Sequence, residues 1–161
     1  AATWGMTAAP FDCWLAERGL LSFELRHAKA QANAAALADT LVTCAGVKRV
    51  LYPGRPDHPD HNRAAALLGA AAGTMVSFEI EGGRGAANRL AEVAEVAFAP
   101  TLGDVATTLS HPASSSHRAV PEDARAAIGI SEGFFRVSVG IEDETALVAT
   151  FRAAVAASGA V

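Results

Sequence analysis

A long stretch of helical periodicity near the start of the chain constrains its fold more than any other feature. Apolar residues recur there at three- and four-residue steps after Pro10, as one face of an α-helix requires. They are Phe11, Trp14, Leu15, Leu21, Leu25, Leu37 and Leu41. Gly46 is a natural stop for this helix, and Gly19 marks a bend or a join between two helices. In a chain of 161 residues this leaves room for a single domain, 1–161, rather than two.

Short strand-like segments alternate with further helical segments over the rest of the chain. Strands are predicted at 47–52, 74–80, 96–99 and 134–141. Helices are predicted at 60–68, 84–93, 121–127 and 145–157. This order predicts a two-layer α/β (α+β) domain, in which a small, mainly antiparallel sheet carries helices on one face and is preceded by the long helix. Residues 100–121 lack periodicity and are rich in Thr, Ser, Gly and His, which predicts a long ordered loop of the kind that often carries function.

Charge and composition exclude several classes of partner. The net charge is -4 and only 13 basic residues are present, which argues against a nucleic-acid-binding surface. The longest apolar stretch, 64–73, is too short to cross a bilayer, so no membrane partner is expected. Cys13 and Cys44 form no framework, which favours free, buried thiols in a reducing cytoplasm.

One charged residue stands out in the last predicted strand. Arg136 lies in an otherwise apolar segment, and alternation places it on the same face as Phe134 and Ser138. Its planar fork of donors suits bidentate binding of a carboxylate. A solvated arginine on an exposed sheet face is an equally good interpretation from spacing alone.

The predicted long loop holds two further candidates. Residues 101–104, Thr-Leu-Gly-Asp, are small enough to bring backbone N–H groups close to an anion, although a plain turn explains them as well. Residues 110–117, Ser-His-Pro-Ala-Ser-Ser-Ser-His, suggest a Ser-His nucleophile pair. Since no GxSxG elbow accompanies them, hydrogen bonding within the loop is the preferred interpretation.

Two other motifs are interpreted as turns. Residues 57–61, Asp-His-Pro-Asp-His, have the side chains of a metal site, but their prolines favour a surface turn and we predict no metal. Residues 82–85, Gly-Gly-Arg-Gly, precede a helix but match neither GxGxxG nor GxxxxGK[ST], so a tight turn is preferred to a phosphate site.

In order along the chain, the motifs resemble the C-terminal domain of the Cys/Met-metabolism (transsulfuration, cystathionine γ-synthase-like) enzymes, which are fold-type-I enzymes dependent on pyridoxal 5'-phosphate (PLP). The resemblance covers nearly the whole chain. It rests on residues 10–15, 18–20, 50–54, 58–59, 73–79, 101–104, 110–117, 129–131 and 136–143.

The resemblance implies roles for four residues. In that family the arginine of the R-[LIV]-S-[VT]-G-[IL]-E-D strand binds the substrate α-carboxylate, which here is Arg136. The residue before Leu-Gly helps to hold the same group, which implicates Thr101 together with Leu102. The H-P-A-S-x-[ST]-H loop lines the substrate side of the pocket, which implicates Ser116.

The resemblance also implies what lies outside this chain. The lysine that carries PLP and shuttles protons, and the other PLP-binding residues, belong to a large N-terminal domain. Only Lys29 and Lys48 occur here, and neither sits in the family's Ser-x-x-Lys-Tyr type motif. We therefore expect no catalytic, cofactor-binding or metal-binding residue in this chain, and a whole protein that is a homotetramer like its family.

The expected activity of the whole protein is γ-elimination or γ-replacement on sulfur amino acids or homoserine derivatives, as in methionine and cystathionine γ-lyases. An O-acylhomoserine sulfhydrylase or a cystathionine γ-synthase-like transferase is the alternative. Pro100 stands where cystathionine-handling members often carry Glu, and the Gly103-Asp104 pair is similar to methionine γ-lyases and O-acylhomoserine sulfhydrylases. Two other classes stay open: an inactive, stable fragment that serves only folding or oligomerisation, and a free-standing amino-acid-binding module.

Overall fold

A five-stranded sheet, flanked by helices, organises the chain in a computed structural model that describes residue 5 and residues 7–160. The ends of the predicted domain, residues 1–4, 6 and 161, lie outside the described residues. The helices are α1 (Pro10–Leu20), α2 (Phe23–Leu41), α3 (His61–Leu68), α4 (Gly83–Val93), α5 (Glu122–Ala127) and α6 (Glu144–Ala157). The strands are β1 (Val47–Leu51), β2 (Met75–Ile80), β3 (Ala97–Phe98), β4 (Thr108–Ser110) and β5 (Phe134–Ser138).

The strands are ordered β1-β2-β5-β4-β3 across the sheet. Each neighbouring pair is antiparallel except β3 and β4, which run parallel. The prediction of a mainly antiparallel sheet is therefore confirmed. β5, which carries Arg136, is the central strand, and β1 and β3 form the two outer edges.

One face of the sheet forms the core. Phe78 of β2 stacks on Phe135 of β5 with ring centroids 5.4 Å apart, and Phe151 of α6 meets Phe78 edge-on at 6.3 Å. α2 and α4 add apolar side chains to the same buried cluster, including Leu37 and Leu90. Alternation along β5 turns Phe134 and Arg136 to the other face, where both are partly exposed. The predicted arrangement of helices on one face is confirmed, and Arg136 lies on the face that these helices leave open.

The long helix is divided differently from the prediction. α1 ends at Leu20 and α2 begins at Phe23, so Gly19 lies inside α1 rather than at the join. The side chain of Arg26 donates from Nη1 to the carbonyl oxygen of Gly19 at 3.0 Å, which ties the two helices together across the break. α2 ends at Leu41, before Gly46, which instead adopts a positive φ of 81° in the turn that leads into β1.

Residues 100–121 are not a single loop, so that prediction is wrong in part. They contain β4 and a short 3-10 helix, Pro112–Ser114. β4 has only three residues, which is too few for alternation to be recognised, and it is defined by its pairing with β5. β5 itself ends at Ser138 rather than at 141, because the next residues bond irregularly: Val139 N–H donates to the Thr74 carbonyl and Ile141 N–H to the Val105 carbonyl, each at 2.9 Å.

The predicted apolar stripe splits into a buried part and an exposed part. Leu37 and Leu41 of α2 are fully buried. By contrast, none of the eleven described residues of α1 is buried, and Trp14 is 54% exposed. Cys13 on this helix is a free, exposed thiol, so the prediction that both cysteines are buried is wrong for Cys13, while Cys44 is partly buried. In the part of the chain that the structure describes, no helix combines the length and apolar character needed to cross a membrane.

Candidate active site

Arg136 occupies the middle of the open sheet face. Its antiparallel neighbours are Ser77 of β2 on one side and Ser110 of β4 on the other. Both neighbours have short side chains, so the long arginine side chain extends across the sheet without a bulky residue opposite it. The strand pairing thus presents a guanidinium group at the centre of a surface that the helices do not cover.

The loop formed by residues 100–106, which we call the 100–106 loop, lies against this guanidinium. Nη2 of Arg136 donates to the carbonyl oxygen of Pro100 at 3.1 Å and to that of Thr101 at 3.3 Å. These two bonds orient the arginine, so the alternative of a freely solvated side chain does not describe it. Among the described residues, Nε of Arg136 is buried without a hydrogen-bond partner, and neither Nη1 nor the Thr101 hydroxyl makes a hydrogen bond. A fixed cation with unused donors next to a free hydroxyl is a suitable site for a carboxylate.

Two hydroxyl side chains hold the 100–106 loop in this position. Ser138 accepts a 2.9 Å hydrogen bond on Oγ from the backbone N–H of Gly103. Thr108 donates from Oγ1 to the carbonyl of Thr101 at 3.2 Å. Sequence reasoning assigned no role to either residue. The signal for Ser138 was its place on the same strand face as Arg136, whereas the partner of Thr108 could not be identified without the fold.

The four residues singled out by the resemblance do not all come together. Arg136 and Thr101 are adjacent, and Leu102 follows Thr101 with 64% of its surface exposed. Ser116 is exposed, and its Oγ lies 2.9 Å from Nδ1 of His117, which is its hydrogen-bond partner in the described part of the chain. The structure therefore joins Arg136 and the 100–106 loop and leaves Ser116 outside that contact.

His111 anchors the segment that leads to Ser116. It is 3% exposed, with Nδ1 2.9 Å from Ser114 Oγ and Nε2 2.9 Å from the carbonyl oxygen of Glu132. The prediction of hydrogen bonding within the loop is thus confirmed for His111. Burial lowers the pKa of His111, since the charged imidazolium loses its hydration. A neutral, fully bonded imidazole is a structural group rather than a base aimed at a serine nucleophile.

The carboxylate of Glu132 joins two further elements to this anchor. It pairs with Nε of Arg84 on α4 at 2.5 Å and with Nη2 of Arg125 on α5. Partial burial by itself raises the pKa of Glu132, but the hydrogen bonds and charges of the two arginines bring it below its ordinary value. Gly82 and Gly83 before Arg84 both have positive φ, as a tight turn into α4 requires.

Residues 57–61 make local contacts. Arg55 donates from Nε to Asp57 at 3.0 Å, and the backbone N–H of Asp60 donates to Nδ1 of His58 at 3.1 Å. Nδ1 of His61 lies 3.1 Å from the carbonyl oxygen of Pro53. These bonds stabilise a turn before α3.

The two lysines do not fit a Schiff-base site beside Arg136. Lys48 lies on edge strand β1, with Nζ 3.9 Å from Glu79 and 3.7 Å from Glu81. Lys29 is exposed on α2. Neither lysine contacts Arg136 or the 100–106 loop in the part of the chain that the structure describes. Among the described residues, no lysine therefore lies beside Arg136 to carry PLP, and no step of the chemistry is assigned to this chain.

Comparisons with known proteins identify the family of the chain. The sequence profile of a family described as "Cys/Met metabolism PLP-dependent enzyme" matches residues 1–156. An O-succinylhomoserine sulfhydrylase of Pseudomonas aeruginosa is 43% identical over 143 residues, which are 88% of this chain and 35% of that protein. A cystathionine gamma-lyase of Rattus norvegicus is 39% identical over 145 residues, covering 89% of this chain and 36% of the relative.

Solved structures give the same result for the fold. A crystal structure of cystathionine gamma synthase from Xanthomonas oryzae pv. oryzae, in complex with aminoacrylate and cysteine, superimposes with a TM-score of 0.87 at 39% identity. The match covers 98% of this chain and 41% of that one. The chain therefore spans little more than a third of the length of the curated relatives and about two fifths of the solved structure.

Proposed function

This chain belongs to the Cys/Met metabolism PLP-dependent enzymes, and on that premise we propose that it is the C-terminal, substrate-carboxylate-binding domain of such an enzyme. The whole protein performs γ-elimination or γ-replacement on a sulfur amino acid or a homoserine derivative. PLP, the cofactor of the family, supplies the electron sink for this chemistry when bound.

The observation that carries the proposal is the contact between Arg136 and the 100–106 loop. The two bonds from Nη2 to the Pro100 and Thr101 carbonyl oxygens leave Nη1 and the Thr101 hydroxyl for a ligand. A substrate α-carboxylate placed there gains a charge-assisted hydrogen bond from the guanidinium. Holding that group fixes the direction of the neighbouring Cα–H bond, so the contribution of this domain is positioning rather than proton transfer.

The identity of the amino acid is proposed from the residue before Thr101. Pro100 offers no carboxylate to a distal amino group of cystathionine. An O-acylated homoserine has no such group, and the sulfhydrylase relative is named for O-succinylhomoserine. Two activities should therefore be compared. γ-Replacement on an O-acylhomoserine is measured with O-succinyl-L-homoserine, and γ-elimination from a sulfur amino acid is measured with L-cystathionine.

The rest of the protein supplies what this chain does not provide. The exposed apolar side chains of α1, among them Phe11 at 65% and Trp14 at 54%, are suited to packing against a further domain. That domain would carry the PLP lysine, and the whole protein would be a homotetramer like other family members. If this chain acts only in folding or oligomerisation, replacing Arg136 in the whole protein would instead leave the KM for substrate unchanged.

The test compares Arg136→Ala with Arg49→Ala in the whole enzyme. Arg49 is a matched control because it lies on the same sheet face but pairs with Glu79 at 2.7 Å. We expect Arg136→Ala to raise KM for the productive probe about 100-fold, the effect of losing a charged hydrogen-bond donor, while the PLP absorbance band stays. Arg49→Ala should leave KM near the wild-type value. An unchanged KM in Arg136→Ala would reject the proposed role.

A further inference from the structure

The segment that follows β5, residues 140–143, joins the 100–106 loop to the body of the domain. Its two acidic residues, Glu142 and Asp143, precede α6, where negative charge is favourable. Only Asp143 serves that helix: its Oδ1 accepts from the backbone N–H of Ala146 at 2.9 Å. Glu142 turns away from α6 and bonds to Thr107. We propose that Glu142 is a positioning residue that holds the 100–106 loop in the geometry required for carboxylate binding, an inference that rests on the proposed function.

Glu142 and Thr107 are linked by two hydrogen bonds. The Glu142 carboxylate accepts from the backbone N–H of Thr107 and, at 2.8 Å, from the Thr107 hydroxyl. The same hydroxyl accepts from the backbone N–H of Gly140 at 2.9 Å. Thr107 is 2% exposed, so water cannot easily replace these bonds. An ionised acceptor also makes them stronger than neutral hydrogen bonds.

A buried side chain of α2 fixes the other side of this segment. Nδ2 of Asn33, which is fully buried, donates to the carbonyl of Gly140 at 3.0 Å and to that of Glu142 at 2.8 Å. The space behind Gly140 is closed as well, because a Cβ atom there would collide with the carbonyl oxygen of Val105. Glu142 is therefore attached to the core through Asn33 and to the loop through Thr107.

The 100–106 loop depends on such anchors because it has little packing of its own. Each of its residues is exposed. It is held by Ser138 at Gly103, by Thr108 at Thr101, and by Ile141 N–H at the Val105 carbonyl. Thr107 is the first buried residue after the loop, so Glu142 determines where the loop re-enters the sheet. A shift there would move Thr101 relative to Arg136.

The experiment uses four variants of the whole enzyme. Thr107→Val removes the hydroxyl and Thr107→Ser keeps it, so this pair isolates the hydrogen bond. Glu142→Ala removes the acceptor, and Asp143→Ala removes the neighbouring acid that only caps α6. The measurements are KM and kcat with O-succinyl-L-homoserine and L-cystathionine, together with hydrogen exchange of the backbone amides in residues 100–107, which requires no turnover.

We expect Thr107→Val to raise KM and to speed exchange in residues 100–107 by about tenfold, the effect of losing one hydrogen bond to a charged group. Glu142→Ala removes both hydrogen bonds to Thr107 and should change both values by at least as much. Thr107→Ser should restore both values to within about twofold of wild type, since the hydroxyl returns. Asp143→Ala should lower the melting temperature without changing KM or exchange in the loop.

Three results would overturn the inference: unchanged KM and exchange in Thr107→Val, equal effects of Thr107→Ser and Thr107→Val, or an equal increase in loop exchange in Asp143→Ala. If Glu142→Ala fails to fold, the two Thr107 variants decide the question. A failure of the proposed function can be told apart from a failure of this inference. An unchanged KM in Arg136→Ala would reject the proposed function, whereas hydrogen exchange in residues 100–107 would still test the role of Glu142.

Discussion

The Oγ atom of Ser138 accepts a 2.9 Å hydrogen bond from the backbone N–H of Gly103, which precedes it by 35 residues. Ser138 follows Arg136 on the same face of β5. One strand therefore presents the guanidinium group and also fixes the loop that contacts it. Four predictions follow for substrate binding at this contact and for the stability of the domain that carries it.

Removing the Ser138 hydroxyl should weaken both substrate binding and the fold, whereas a serine away from the loop should affect the fold alone. Ser138→Ala leaves the Gly103 N–H without its partner, which costs about 1 kcal/mol of unfolding free energy and raises KM about three- to tenfold. The control is Ser158→Ala, a fully buried serine whose Oγ donates to the Val155 carbonyl at 2.6 Å, away from the loop. It should lose similar stability with no change in KM, and a KM increase of equal size in both variants would contradict the prediction.

Removing the Glu132 carboxylate should destabilise the domain strongly. Arg125 is 8% exposed and would be left as a buried cation without its acceptor. We expect Glu132→Ala to lower the free energy of unfolding by about 3 kcal/mol in urea denaturation. The double variant Arg125→Leu, Glu132→Leu should lose less, because no buried cation remains: Arg84, the other partner of Glu132, is partly exposed to solvent. If the double variant is the less stable of the two, the Arg125–Glu132 ion pair itself contributes net stability beyond the cost of burying its charges.

Glycine at position 46 should be required by its backbone conformation. Gly46 has a φ of 81°, and a Cβ atom there would collide with the backbone carbonyl of Ala160. Gly46→Ala should therefore lower the free energy of unfolding by about 2 kcal/mol. Gly19→Ala is the matched control: a Cβ at this helical position meets no described atom within 4 Å, and it should stabilise the protein by up to about 0.5 kcal/mol. Equal effects at both sites would refute the conformational argument.

His111 should make stability depend on pH in the mildly acidic range. Its pKa is lowered in the folded protein by burial, whereas in the unfolded chain it is about 6.5. The unfolded state therefore binds more protons below pH ~6.5, and stability is lost as the pH falls from there toward the folded-state pKa. Above pH ~6.5 this contribution is complete and constant.

The measurement is urea denaturation at several pH values for the wild type and His111→Asn. The variant should show a smaller loss of unfolding free energy between pH ~6.5 and ~5.5, because the titrating group is gone. The comparison concerns the slope with pH, so a general loss of stability in the variant does not obscure it. Identical slopes would assign the pH dependence to other groups.

Much of the fold could be predicted because its elements follow local rules. The strands around Phe78 and Phe135 were found from alternation, and the amphipathic pattern of Leu37 and Leu41 marked the core side of α2. β4 was missed because its three residues are defined by a partner strand rather than by their own pattern. The break between α1 and α2 follows Leu20 and not Gly19, because a single glycine is tolerated inside an exposed helix and does not by itself end it.

The candidate site likewise has one part that the sequence pattern predicts and another that only the fold reveals. The strand face of Arg136 followed from spacing, but its contact with Thr101 was implied only by the resemblance, since 35 residues separate them. Thr107, the partner of Glu142, lies equally far away in sequence, so no local pattern predicts that hydrogen bond. Long-range hydrogen bonds of single polar side chains leave no periodic trace, and only the fold reveals them.

The order of the strands also bears on how separate copies of the chain meet. In the part of the chain that the structure describes, the outer edges of β1 and β3 pair with no further strand, and such edges can recruit a strand from another molecule. β3 is only two residues long, and β1 carries Lys48 and Arg49 side by side. A second β1 aligned against the first would crowd two copies of each cation, each already paired with Glu79 or Glu81, at the same edge. A very short strand and a charged strand both discourage edge-to-edge pairing, so the two ends of the sheet are poor templates for a further strand.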